Sequence, residues 1–179
     1  MNPYYTHQET LNSILESLDY TQKITCLEFG SGEGSSSVFH KFASQNQNLK
    51  VTCFEHEESW MKQMEQKYRL ENYTFNLVDW STIDYEDYKT KEYDLVFVDQ
   101  GNWDARITTI DELKGNTKIF VLHDYCYYNG FVGGMNPSSE MSYNSVDENS
   151  FFSKYLSEFD LVPITNLFPP TLVMKSKIK

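Results

Sequence analysis

The sequence predicts an α/β fold: a three-layer αβα sandwich around a seven-stranded, mostly parallel sheet, with an antiparallel strand near the C-terminus. Three observations predict it. Short apolar runs alternate with segments of helical period along most of the chain. Those runs do not alternate apolar with polar residues, as befits parallel strands buried on both faces. The chain closes on two strand-like runs joined by a short connection around Phe168-Pro169-Pro170. That connection is too short for a crossover, so it demands an antiparallel pair.

The elements follow in order. Thr6-x-x-Glu9 has the form of a capping box. Leu11, Ile14, Leu15 and Leu18 come next at helical spacing, so residues 8–19 are expected to form an amphipathic helix. Ile24 to Phe29 reads as the first strand, and Ser35 to Ala43 as a helix opening at a glycine turn. Val51 to Glu55 is the second strand. Glu57 and Glu58 suit the first turn of a helix carrying Trp60, Met61, Met64 and Tyr68. Tyr73 to Val78 is the third strand, Tyr85 to Tyr88 a helical turn, and Tyr93 to Asp99 the fourth strand. Ala105, Ile107, Ile110 and Leu113 suit a helix, and Lys118 to Leu122 is the fifth strand, ending at His123-Asp124. Phe151, Phe152, Tyr155, Leu156 and Phe159 are spaced for one more helix before the closing strands Leu161–Ile164 and Thr171–Met174.

Residues 125–148 break the pattern, with four tyrosines, three glycines and no clear period. A loop that long inside a compact domain is usually functional. Residues 1–179 read as one domain, with a helix-bearing segment at 1–20 and a substrate loop at 125–148.

Composition narrows the function. Lys and Arg number 15 against 26 Asp and Glu, for a net charge of −11. A chain this acidic lacks the basic footprint of a nucleic-acid binder and is poorly suited to anionic membranes. Three cysteines make no disulfide framework. Cys26 and Cys53 fall in apolar runs and Cys126 in the loop, which fits a reducing, cytoplasmic setting. No apolar stretch reaches the roughly 18 residues of a membrane span, and no basic-then-apolar leader pattern opens the chain.

The candidate site begins at Leu27-Glu28-Phe29-Gly30-Ser31-Gly32-Glu33-Gly34. A glycine turn at a strand end lets the backbone approach a ligand closely, and the N–H groups of the next helix point toward it. Acidic residues then close successive strands: Glu55, Asp79, Asp99 and Asp124. A nicotinamide fingerprint requires G-x-G-x-x-G, but position 35 is Ser. Glu33 is expected to be solvated, and His7 and His40 to lie on the surface.

The acidic residue two positions before Gly30-x-Gly32-x-Gly34 resembles motif I of the Rossmann-like, class I S-adenosylmethionine-dependent methyltransferases. The order of strands, acids and closing strand pair resembles that family over nearly the whole chain. The resemblance implies a site for S-adenosylmethionine made by Glu28, Gly30, Ser31, Gly32, Gly34, Glu55, His56, Asp79, Trp80 and Asp99. Glu28 would face the cationic methionyl end and Glu55 the ribose hydroxyls. Asp79 would read the adenine amino group, with His56 flanking the ring and Trp80 stacking on it.

The reacting centre is expected at Asp99, His123 and Asp124, beyond the carboxyl ends of adjacent strands. Methyl transfer to oxygen needs a base or a metal to raise the nucleophile. His123 or Asp124 would be the base. The pair Asp99 and Asp124 resembles the metal carboxylates of catechol-type and sugar O-methyltransferases, and oxygen ligands would select Mg²⁺. Tyr125 stands where those enzymes place a third ligand. Tyr125, Tyr127 and Tyr128 of the aromatic loop suit a sugar or phenol. The expected activity is therefore O-methylation of a small metabolite or glycan, with no nucleic-acid or membrane partner and an open oligomeric state. Two other readings stay open: a nicotinamide-dependent oxidoreductase, and a non-catalytic methyltransferase-like protein that binds a partner.

Overall fold

The computed structural model describes residues 5–125 and 151–178. Seven strands form one sheet: β1 (Ile24–Phe29), β2 (Leu49–Glu55), β3 (Tyr73–Leu77), β4 (Leu95–Val98), β5 (Ile119–His123), β6 (Phe159–Ile164) and β7 (Thr171–Ser176). Their order is β3-β2-β1-β4-β5-β7-β6. β1 pairs in parallel with both β2 and β4, and only β7 runs against its neighbours. The order reverses between β1 and β4, which opens a crevice at their carboxyl ends.

The strand period of two sorts side chains into two cores. On one face Cys26, Val51, Cys53, Leu95, Phe97 and Val121 pack beneath α1 (Gln8–Glu16), α2 (Glu33–Gln45) and α3 (Glu58–Tyr68). On the other, Leu27, Phe29, Val96, Val98, Phe120 and Leu122 pack against α4 (Glu86–Lys89), α5 (Trp103–Leu113) and the short 3-10 turn Phe151–Tyr155. The helices begin at local caps. The Glu57 carboxylate accepts from the N–H groups of Ser59 and Trp60, and the Asn102 side chain from those of Asp104 and Ala105. Among the described residues no helix is long and apolar enough to cross a membrane.

Four local expectations are corrected. α1 ends at Glu16, and its N-cap is His7 with no side-chain cap, so Thr6 and Glu9 form no capping box. Thr6 is drawn instead into long-range hydrogen bonds. α2 starts at Glu33, directly after Gly32, rather than at Ser35. The helix expected over Phe151–Phe159 is one 3-10 turn, and Phe159 opens β6 with its ring 5.8 Å from that of Phe120. Turn and strand bury their aromatics on the same core, and that mimics a helical spacing.

Candidate active site

The crevice between β1 and β4 is built by the turn after β1. Gly30 has φ +90°, and a β-carbon there would lie 2.7 Å from the carbonyl carbon of Asp99. Only glycine lets the turn pass this close to the end of β4. Gly32 differs: its φ is −164°, and a β-carbon would meet nothing within 4 Å among the described residues beyond its chain neighbours. A cavity of about 310 Å³ lies here, lined by Ser31, Gly32, Gly34, Trp60, Asp99 and the N-terminal residues Tyr5 and His7. The Trp60 indole N–H donates to the Ser31 carbonyl at 2.8 Å and pins the turn.

Glu28 is not a wall of this cavity. It is fully buried, and its carboxylate accepts from the hydroxyls of Ser35 and Ser36 at 2.6 and 2.9 Å and from that of Tyr73. Burial pushes its pKa up to about 7, against those hydrogen bonds. The expected contact with a cationic methionyl group is therefore corrected. Glu28 acts from below, holding the first turn of α2 against the sheet. Glu33 makes an ion pair with Lys67 at 2.6 Å and a hydrogen bond with Tyr68.

Glu55 ends β2 as the hub of the turn. One oxygen accepts from the Ser31 N–H and hydroxyl, both at 3.0 Å. The other accepts from the His56 and Glu57 N–H groups and faces His56 Nδ1 at 2.9 Å. Both oxygens of this carboxylate are thus engaged within the protein, by Ser31 on one side and by His56 and Glu57 on the other. Asp79 is exposed, with one oxygen folded into a turn with Ser81. Trp80 is buried, its ring 6.4 Å from Phe29 and 5.8 Å from His56. It is part of the core rather than a free stacking face, which corrects the expected role.

At the other end of the cavity, β4 and β5 deliver Asp99 and His123. Arg106, buried in α5, ties them together. Its Nη2 lies 3.0 Å from Asp99 Oδ1, its Nη1 donates to the His123 carbonyl at 2.7 Å, and its Nε donates to the Gln100 carbonyl. Asp99 Oδ2 faces His123 Nδ1 at 3.2 Å. Burial would raise the Asp99 carboxyl, but the His123 hydrogen bond and the charges of His123 and Arg106 bring it below its ordinary value. On the far side of the ring, His123 Nε2 meets the Thr6 hydroxyl at 3.0 Å, and that hydroxyl donates to the Pro169 carbonyl at 2.7 Å.

Asp124 follows at φ +58°, a left-handed conformation that few side chains adopt. Its Oδ1 lies 3.4 Å from His123 Nε2, and burial raises its carboxyl above the usual range. Asp99 and Asp124 therefore flank the imidazole on opposite nitrogens. The expected Asp99–Asp124 metal pair is corrected, because His123 stands between the two carboxylates. Tyr125 is corrected too: it is fully buried in the α5-side core, edge-on to Phe152, and is no acceptor contact. Tyr127, Tyr128 and most of the loop lie outside the described residues.

The sequence reading missed His7, Thr6 and Arg106. His7 is 2% exposed, not a surface residue, and its ring lies 4.9 Å from Phe97 and 4.5 Å from His123. Burial, then the neighbouring His123, push its pKa down to about 3, so it stays neutral. Neither of its nitrogens has a hydrogen-bond partner among the described residues. The only signal for it was its position just ahead of an amphipathic helix.

No protein-family profile and no curated protein matches the chain. Solved structures do. A protein described as a caffeoyl-CoA O-methyltransferase of Staphylococcus aureus superposes with a TM-score of 0.64 at 20% identity, over 94% of this chain and 83% of that one. The N-terminal domain of EvdMO1, with S-adenosylhomocysteine bound, gives 0.61 at 11% identity over 99% and 82%. The N-methyltransferase NodS of Bradyrhizobium japonicum gives 0.58 at 15% identity over 98% and 96%. The chain thus has the Rossmann-like fold of the class I S-adenosylmethionine-dependent methyltransferases.

Proposed function

We propose that this protein binds S-adenosylmethionine across the carboxyl ends of β1, β2 and β4 and methylates a hydroxyl of a small metabolite or sugar. The turn at Gly30–Gly34 carries the reading. It is pressed against β4 at Gly30 and open at Gly32, a cradle that a side chain would fill. The methionyl group would lie along Ser31, Gly32 and Gly34, the ribose at Glu55, and the adenine toward His56, Asp79 and Trp80.

The cofactor, when bound, supplies an electrophilic methyl on a sulfonium. A hydroxyl acceptor would give up its proton as it takes that methyl group. The acceptor proton must go to a base. Asp99 is held by Arg106 and His123, and His123 is engaged at both nitrogens. Asp124 is the remaining group, a carboxylate made more basic than usual by burial. Asp99, on the cavity wall and held from behind by His123, then orients the acceptor, with Tyr5 offering aromatic cover. The −11 charge supports a small neutral or cationic acceptor over nucleic acid.

Calorimetric titration with S-adenosylhomocysteine and with NAD tests the reading. Heat with the first and none with the second is expected; the reverse overturns it in favour of a nicotinamide enzyme. A screen of sugars, nucleotide sugars and phenols for S-adenosylhomocysteine release identifies the acceptor. On that acceptor, Asp124→Asn is expected to lower turnover by about 10²–10⁴-fold.

A further inference from the structure

Three metal-binding side chains converge where the N-terminal segment crosses the ends of β4 and β5. One ligand atom from each of His7, Asp99 and His123 lies within 4.8 Å of the other two. We infer that these three residues form a site for a divalent transition-metal ion of the imidazole-preferring class, Zn²⁺ or Fe²⁺ rather than Mg²⁺.

Hydrogen bonding around His123 points to the ion. The Thr6 hydroxyl has one proton and donates it to the Pro169 carbonyl at 2.7 Å. Toward His123 it therefore acts as acceptor, and Nε2 carries the hydrogen. In the neutral imidazole the lone pair then sits on Nδ1, which faces a carboxylate oxygen of Asp99 at 3.2 Å. Two lone pairs that close need a positive centre between them, a proton or a metal. The separation is right for a metal: ligands about 2.0–2.1 Å from an ion at tetrahedral or octahedral angles stand roughly 3–3.4 Å apart.

His7 decides between the two. A proton shared by Asp99 and His123 leaves His7 as found, buried with both nitrogens unpartnered among the described residues. Burying such a group costs free energy unless a partner satisfies it. An ion at Nδ1 of His123 would supply a partner for one His7 nitrogen, which lies within 4.8 Å of the other two ligand atoms. The outer contacts are those of a metal site as well. Arg106 holds the non-ligating oxygen of Asp99, and Thr6 fixes the His123 tautomer. Two imidazoles and one carboxylate leave open positions and favour borderline metals over hard, oxygen-seeking ones.

What the ion would do, polarise an acceptor hydroxyl, rests on the methyltransferase reading; its binding does not. The full-length protein, stripped with EDTA, is titrated with Co²⁺ without S-adenosylmethionine and followed by its visible d–d absorption. One equivalent is expected to bind and to be displaced by Zn²⁺. His7→Ala is expected to weaken Co²⁺ by more than about 100-fold, beyond the 10–100-fold cost of losing an outer-shell partner. X-ray absorption at the zinc edge of the wild type, which does not depend on the variant folding, is expected to show two imidazoles. No absorption change, undiminished binding by folded His7→Ala, or fewer than two imidazoles overturns the site. Heat from S-adenosylhomocysteine with the metal-free protein separates failure here from failure of the methyltransferase reading.

Discussion

Gly30 and Asp99 meet backbone to backbone, with no room for a side chain between the turn after β1 and the end of β4. Gly30→Ala adds a clash to a φ of +90° that alanine disfavours. The unfolding free energy is expected to fall by about 1–3 kcal/mol, read by urea denaturation.

Gly32→Val should behave oppositely. Its backbone is extended, and among the described residues nothing beyond its chain neighbours stands within 4 Å of the new β-carbon. The variant is expected to unfold at nearly the wild-type temperature and to give no heat with S-adenosylhomocysteine. Wild-type affinity would show that the cofactor does not pass over Gly32.

Glu28 sets a pH dependence. Its folded pKa of about 7 lies above the 4.5 of an ordinary glutamate, so the folded state holds the proton more tightly. The stability it contributes is complete below about pH 4.5 and is lost as pH rises through 7. Glu28→Gln keeps an acceptor for Ser35 and Ser36 and never ionises. Wild type is expected to lose about 3 kcal/mol relative to this variant between pH 4.5 and 8. A difference in stability that does not change with pH would count against a buried, titrating Glu28.

Arg106 joins β4, β5 and the Gln100 carbonyl through one buried guanidinium. Arg106→Met leaves the Asp99 carboxylate without its partner and is expected to destabilise by about 3 kcal/mol. Arg106→Lys should recover little of this, because an ammonium cannot reproduce the fork. Thermal denaturation of both variants checks it.

The parts of the site legible in the sequence were those with a local signature. The glycine turn and the acids closing β2, β4 and β5 each sit at the end of an apolar run, so strand and loop define one another. Glu28 was legible as a motif but not as a buried group, since its partners Ser36 and Tyr73 are fixed by α2 and β3 packing over it. The two carboxylates Asp99 and Asp124 were read as a pair because both follow strands. The imidazole between them is visible only once β5 is in register, with Val121 opposite Phe97. Thr6 carried only the form of a capping box, and His7 only its place ahead of a helix, because their roles depend on contacts made across the whole chain.

That last feature sets when the site comes into being. The Thr6 hydroxyl bridges His123, 117 residues away, and Pro169, 163 residues away. Contacts of such separation form late, after the local turns and helices. During synthesis on the ribosome the glycine turn can close around β1 and β2 while the chain is half made. The Thr6–His123–Pro169 linkage must wait for the final strands to emerge. A nascent chain would therefore hold the turn after β1 well before it holds the Thr6–His123–Pro169 linkage, and pulse-labelled translation intermediates would capture the first without the second.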